Sequence, residues 1–201
     1  MNSIDLEIDN IYVMFLLVLL SLLISTINPR YSCSAYSGGL LCIAEISVSY
    51  INGIRISTDI AIIMFLVASL HFSEGLLLFV FGKKYSYKII KKTRGGLLLG
   101  YIMKAIWIVP IIIKGMSLPI ICILGYQIEC FTTSRKEKKL EISLMLFLYS
   151  TILICIAFVS IGSNFFKLGG AIYMLLGHEG MHYFERYSDK KVLKKRIRIN
   201  R

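Results

Sequence analysis

The chain has 201 residues, 56% of them hydrophobic, and 23 Lys and Arg against 12 Asp and Glu, a formal charge of +11. Mean hydropathy is +0.71, which excludes an ordinary water-soluble domain and points to an integral membrane protein with the lipid bilayer as its main partner. The charge does not imply nucleic acid, because the basic residues cluster in short segments between apolar runs, where cytoplasmic loops and anionic headgroups account for them.

Ile11 to Ile27 is the first apolar run and Asn28-Pro29-Arg30 closes it. No basic residue precedes the run and no small-residue cleavage site follows it, so it is expected to remain as an anchor. Residues 31 to 57 read as an outer loop. Glu45 to Tyr50 alternates polar and apolar, Asn52-Gly53 follows, and Ile54 to Ser57 alternates again, which predicts a β-hairpin turning at Asn-Gly. Cys33 and Cys42 share this loop and would be able to pair in an oxidising compartment, or else serve as two small unlinked hydrophobes. The other cysteines, Cys122, Cys130 and Cys155, fall in apolar runs and read as packing residues.

Ile60 to Phe81 is a full-length span with His71 and Glu74 near its middle. Gly95 to Phe131 is almost wholly apolar, carries Lys104, and is interrupted near Pro110, Lys114-Gly115 and Pro119, so it predicts a helical hairpin. Ile142 to Phe166 and Gly169 to Tyr187 complete the set. The expected fold is therefore an all-α polytopic membrane protein, one domain over 1–201 with about six transmembrane helices and a small β-hairpin between the first two. A basic cytoplasmic tail occupies 188–201. The segments Lys83 to Arg94, Arg135 to Lys139 and Arg186 to Arg201 hold 18 of the 23 basic residues. Six spans place all three on the cytoplasmic side, with both termini there.

The three histidines all fall in apolar segments, where ionisable groups are costly and mark functional sites. His178-Glu179-Gly180-Met181-His182 puts two imidazoles one helical turn apart with a glutamate between them, the spacing that binds zinc and supplies a general base. His71 precedes Lys83 by 12 residues and His178 precedes Lys190 by 12. At ~1.5 Å per residue both lie roughly 18 Å from a basic boundary, so the two helices can share a site. Glu74, one turn from His71, is a further candidate ligand. Glu185 is too far along the helix from His178 to bind the same ion and is expected to cap the helix end or meet a basic group.

The His178–His182 motif resembles that of membrane zinc metalloproteases such as the site-2 family. By that resemblance His178 and His182 bind zinc and Glu179 is the catalytic base. One histidine in an early span with a His-x-x-x-His in the last is also similar to the alkaline-ceramidase and adiponectin-receptor superfamily, which implies zinc on His71, His178 and His182. Both resemblances imply zinc-dependent attack of water on an acyl carbon, in a membrane peptide or a lipid amide. Two other classes stay open: haem b ligated by His71 and a last-helix histidine, and a proton-relay or non-catalytic subunit of a membrane-protein complex built on His71, Glu74, Glu179 and Lys104.

Overall fold

The computed structural model describes residues 3–53, 60–84, 86–93, 96–111, 120–131 and 134–199. In chain order the elements are α1 (Ser3–Ser25), a 3₁₀ turn (Pro29–Ser32), α2 (Ser34–Asn52), α3 (Ile60–Phe81), β1 (Ser86–Thr93), β2 (Gly96–Ile111), β3 (Ile120–Cys130), α4 (Arg135–Ser160) and α5 (Asn164–Ile199). Two compact units emerge, Met1–Ser69 with Tyr149–Glu179, and Leu70–Leu148 with Gly180–Arg201.

The expectation of about six membrane helices is corrected: among the described residues only α3 and α4 are long and apolar enough to cross a membrane. Among the described residues α1 contributes a shorter apolar stretch, Val13–Ser25. The helix α5 is interrupted by Lys167, His178, Glu179, His182 and Glu185, which a lipid-facing span would not carry.

The expected helical hairpin over Gly95 to Phe131 is a pair of strands instead. The sheet order is β1-β2-β3, all antiparallel, with Tyr101 opposite Cys130 and Ile111 opposite Ile120. Continuous apolar runs do not distinguish a buried strand from a buried helix, and the Ile, Val, Tyr and Trp content of 101–111 and 120–128 favours the pleated form. Pro110, read as a helix breaker, lies next to the end of β2 opposite Ile121. Lys104 is therefore on a strand rather than inside a helix limb; its side chain, with Lys114 and Pro119, lies outside the described residues.

The expected β-hairpin over 45–57 is also corrected, since Glu45 to Asn52 continue the helix α2; residues 54–59 lie outside the described residues. The buried positions Ala35, Gly38, Gly39, Cys42 and Glu45 recur at helical spacing, and that face outweighs the local alternation. Gly53 caps the helix with φ 64°, a left-handed conformation that glycine adopts without a Cβ clash. Asn-Gly thus ends a helix here by the same conformational freedom that would have turned a hairpin. Neither Cys33 nor Cys42 is in a disulfide. Nine residues of helix separate their backbones by roughly 13 Å, well beyond disulfide reach.

In the first unit, small residues let helices approach closely. A Cβ on Gly39 would stand 2.7 Å from Leu175 Cγ and 3.1 Å from the Ala171 carbonyl oxygen. In the second unit Leu78, Tyr101, Met103, Cys130, Ile142 and Leu146 form a hydrophobic core joined by Met181. The helix α4 opens on a reciprocal capping box: the Glu137 N–H donates to Ser134 Oγ and the Ser134 N–H donates to Glu137 Oε2, both at 3.2 Å. Lys139 Nζ donates to the Phe79 carbonyl near the end of α3 and lies 5.1 Å from the centre of the Phe79 ring.

Candidate metal centre

Cys33 is placed by the break between α1 and α2. Pro29 cannot extend α1, and the 3₁₀ turn that follows is held by the Tyr31 N–H on the Asn28 carbonyl at 2.9 Å. Ser21 Oγ donates to the Ser32 carbonyl and ties the turn back to α1. Cys33 is then extended (φ −68°, ψ 136°) as the residue before α2, its carbonyl accepting the Tyr36 N–H at 3.1 Å. Its side chain makes no capping hydrogen bond. The positive end of α2 favours a negatively charged ligand at this position.

The histidines arrive by helix geometry from a close three-helix contact. A Cβ on Gly38 of α2 would lie 3.0 Å from Val67 Cγ2 of α3 and 3.6 Å from Met174 Sδ of α5. His71 follows Val67 by one turn on the unbroken α3, and His178 follows Met174 by one turn on α5. Both imidazoles are buried, 1% and 6% exposed, and Cys33 is partly buried. The ligand atoms of Cys33, His71 and His178 all lie within 4.8 Å of one another.

Aromatic rings line His178. The Tyr36 ring meets it edge to face at 5.0 Å between centroids, and the Tyr149 ring does so at 6.2 Å. Tyr149 is fixed in turn: its hydroxyl donates to the Met174 carbonyl at 3.0 Å and its ring stacks on Tyr173 at 5.4 Å. Tyr36 packs against Tyr31, and its hydroxyl donates to Glu179 Oε1 at 2.5 Å. One tyrosine therefore braces His178 with its ring and holds Glu179 with its oxygen.

Of the residues singled out from the sequence, His71 and His178 come together, and the third donor beside them is Cys33. His182 is not in this group; its Nδ1 lies 3.7 Å from Glu185 Oε2, one turn further along α5. Glu74, three residues past His71, is partly buried and also outside the group. Glu179 is partly buried and engaged by Tyr36. Cys33 was missed because no ligand spacing links it to either histidine; the usable signal was the Pro29 break followed by the helix-ready Ser34-Ala35 and the small pair Gly38-Gly39.

No protein-family model, no curated protein and no solved structure matches this chain. The chemistry of the donor set itself supplies the test of fit. One thiolate and two imidazoles suit borderline transition metals, and a tetrahedral zinc site needs donor atoms about 3.3 to 3.7 Å apart. Donors already within 4.8 Å reach that spacing by small rotamer changes. The Cys33/His71/His178 group can thus hold a metal ion.

Proposed function

We propose that this chain is a membrane-embedded zinc-dependent hydrolase of metalloprotease type, with the ion held by Cys33, His71 and His178. The observation that carries the reading is the convergence of three metal-binding side chains, Cys33 just before α2, His71 of α3 and His178 of α5. Zinc is favoured over haem b because a thiol beside two imidazoles is a zinc donor set, whereas haem b would use the two imidazoles alone.

When bound, zinc supplies a Lewis acid that polarises a scissile carbonyl and makes water easier to deprotonate. Glu179, adjacent to His178, takes the proton of the attacking water on its carboxylate and passes it to the leaving amine. Tyr36 orients that carboxylate through its hydrogen bond to Oε1. The apolar helices around the group exclude bulk water and strengthen these interactions. The substrate is a membrane peptide or a lipid amide reaching the site within the bilayer.

In this reading α3 and α4 cross the bilayer, making the protein multi-pass, and the basic runs Lys83–Arg94 and Arg135–Lys139 lie at their cytoplasmic ends. Metal analysis by mass spectrometry on purified protein is the direct test, with hydrolysis of an intramembrane peptide library and an amide-lipid panel measured in parallel. Wild type is expected to carry about one zinc per chain. Glu179→Gln is expected to keep the zinc and lose hydrolysis, whereas His71→Ala and His178→Ala lose both. Wild-type protein without a stoichiometric transition metal would overturn the reading.

A further inference from the structure

The sheet has a face that its own helices only partly cover. In an antiparallel pair, residues directly opposite each other share a face, and alternate residues follow on that face. Met103, Tyr101 and Leu99 of β2 therefore lie on one side with Ser86, Lys88 and Ile90 of β1, and Leu97 follows on the same face. Met103 and Tyr101 are buried in the core with Leu78, Ile142 and Leu146. Along the same face the burial then stops: Leu99 is 64% exposed, Ile90 67% and Leu97 75%. From Tyr101 to Leu97 the strand advances ~13 Å, so an apolar strip of about that length runs past the helices.

We infer that this uncovered end of the β1–β2 pair docks on the bilayer interface, with Ile90, Leu97 and Leu99 at the level of the acyl-chain boundary and the neighbouring lysines on anionic headgroups. Three observations choose lipid as the occupant. The face is continuous with the core built on Leu78 of α3 and on Ile142 and Leu146 of α4, the two helices long and apolar enough to span. The strand β1 begins five residues after α3 ends at Phe81, so the chain cannot carry it far from the membrane surface. Finally, the apolar strip is set among cations, since Lys83, Lys84 and Lys88 are exposed. Apolar side chains interleaved with lysines match an anionic interface in both hydrophobicity and charge. Free in water, such an edge would invite strand pairing and aggregation.

The inference rests on α3 and α4 crossing the bilayer, so the experiment separates the two. Single nitroxide labels are placed at Leu97, Leu99, Lys84 and Leu148 in full-length protein, reconstituted in phosphatidylcholine vesicles with and without phosphatidylglycerol. Collision with oxygen reports lipid exposure, and collision with a water-soluble nickel chelate reports aqueous exposure. Leu148, 64% exposed on α4, is the lipid reference and Lys84 the aqueous one. Labels at Leu97 and Leu99 are expected to favour oxygen, more strongly when phosphatidylglycerol is present. If they collide with nickel like Lys84 while Leu148 favours oxygen, the docking is overturned. Shielding of both labels from both reagents also overturns it, because a protein partner or second copy then covers the strip. Indifference to phosphatidylglycerol removes the role of the lysines, and nickel collision at Leu148 removes the membrane reading itself.

Discussion

The surroundings of Cys33, His71 and His178 and the core around Leu78, Tyr101, Met103, Cys130, Ile142 and Leu146 draw on similarly apolar stretches of chain but spend their burial differently. The first draws a thiol and two imidazoles into the space between helices and braces one histidine with tyrosine rings. The second buries mainly aliphatic, aromatic and sulfur-bearing side chains, with polar devices such as the Ser134–Glu137 box and the Lys139–Phe79 contact at helix ends. Burying donors weakens a fold unless something binds them, whereas burying methylenes strengthens it. The difference separates the region whose side chains can hold a metal ion from the one that holds the chain together.

The largest effect expected to sharpen this contrast is on metal content. Cys33→Ser, His71→Ala and His178→Ala should each lower bound zinc by at least about 10-fold, since even second-shell changes reach that size. His182→Ala, whose imidazole faces Glu185, should keep it. Loss of metal in His182→Ala with retention in Cys33→Ser would reverse the assignment. Next comes the apolar core: Leu78→Ala should cost about 2–5 kcal/mol in unfolding free energy while leaving the zinc stoichiometry intact. If metal is lost along with stability, the two regions are not separable in this way.

Gly39→Ala is expected to act on both readouts. Its Cβ would press on Leu175 and on the Ala171 carbonyl, an overpacking penalty of about 1–3 kcal/mol, and the displaced helices should weaken zinc binding. Ser134→Ala removes one half of the capping box and should cost about 1 kcal/mol with no change in metal. The smallest effect is chemical. Burial, with the Glu45 charge adding to it, pushes the Cys42 thiol up to about 12. At pH 8 it remains protonated, so alkylation should miss Cys42 and begin there only as the pH nears that value. Cys33 should become more reactive when a chelator strips the metal. Peptide mapping after iodoacetamide treatment reads both sites at once.

The amino-acid sequence by itself determined the features that depend on local chemistry. A run as apolar as Ile60–Phe81 must form a helix of spanning length, and two of the three histidines that lie in apolar stretches do converge. The pattern of Ser134 and Glu137 before an apolar run writes the start of α4 in four residues. Periodicity was ambiguous elsewhere, and the tertiary structure resolved it. Alternation over Glu45–Tyr50 yielded to the helical face of Gly38, Gly39, Cys42 and Glu45, because only that face lets α2 press against Val67 and Met174. The apolar runs Gly96–Ile111 and Ile120–Cys130 suit helix or strand equally until β2 finds partners on both sides, which is a long-range event. The same reason hid Cys33. Its distance from His71 and His178 along the chain carries no code, and it becomes a donor beside them through the turn after Pro29 and the close approach of three helices.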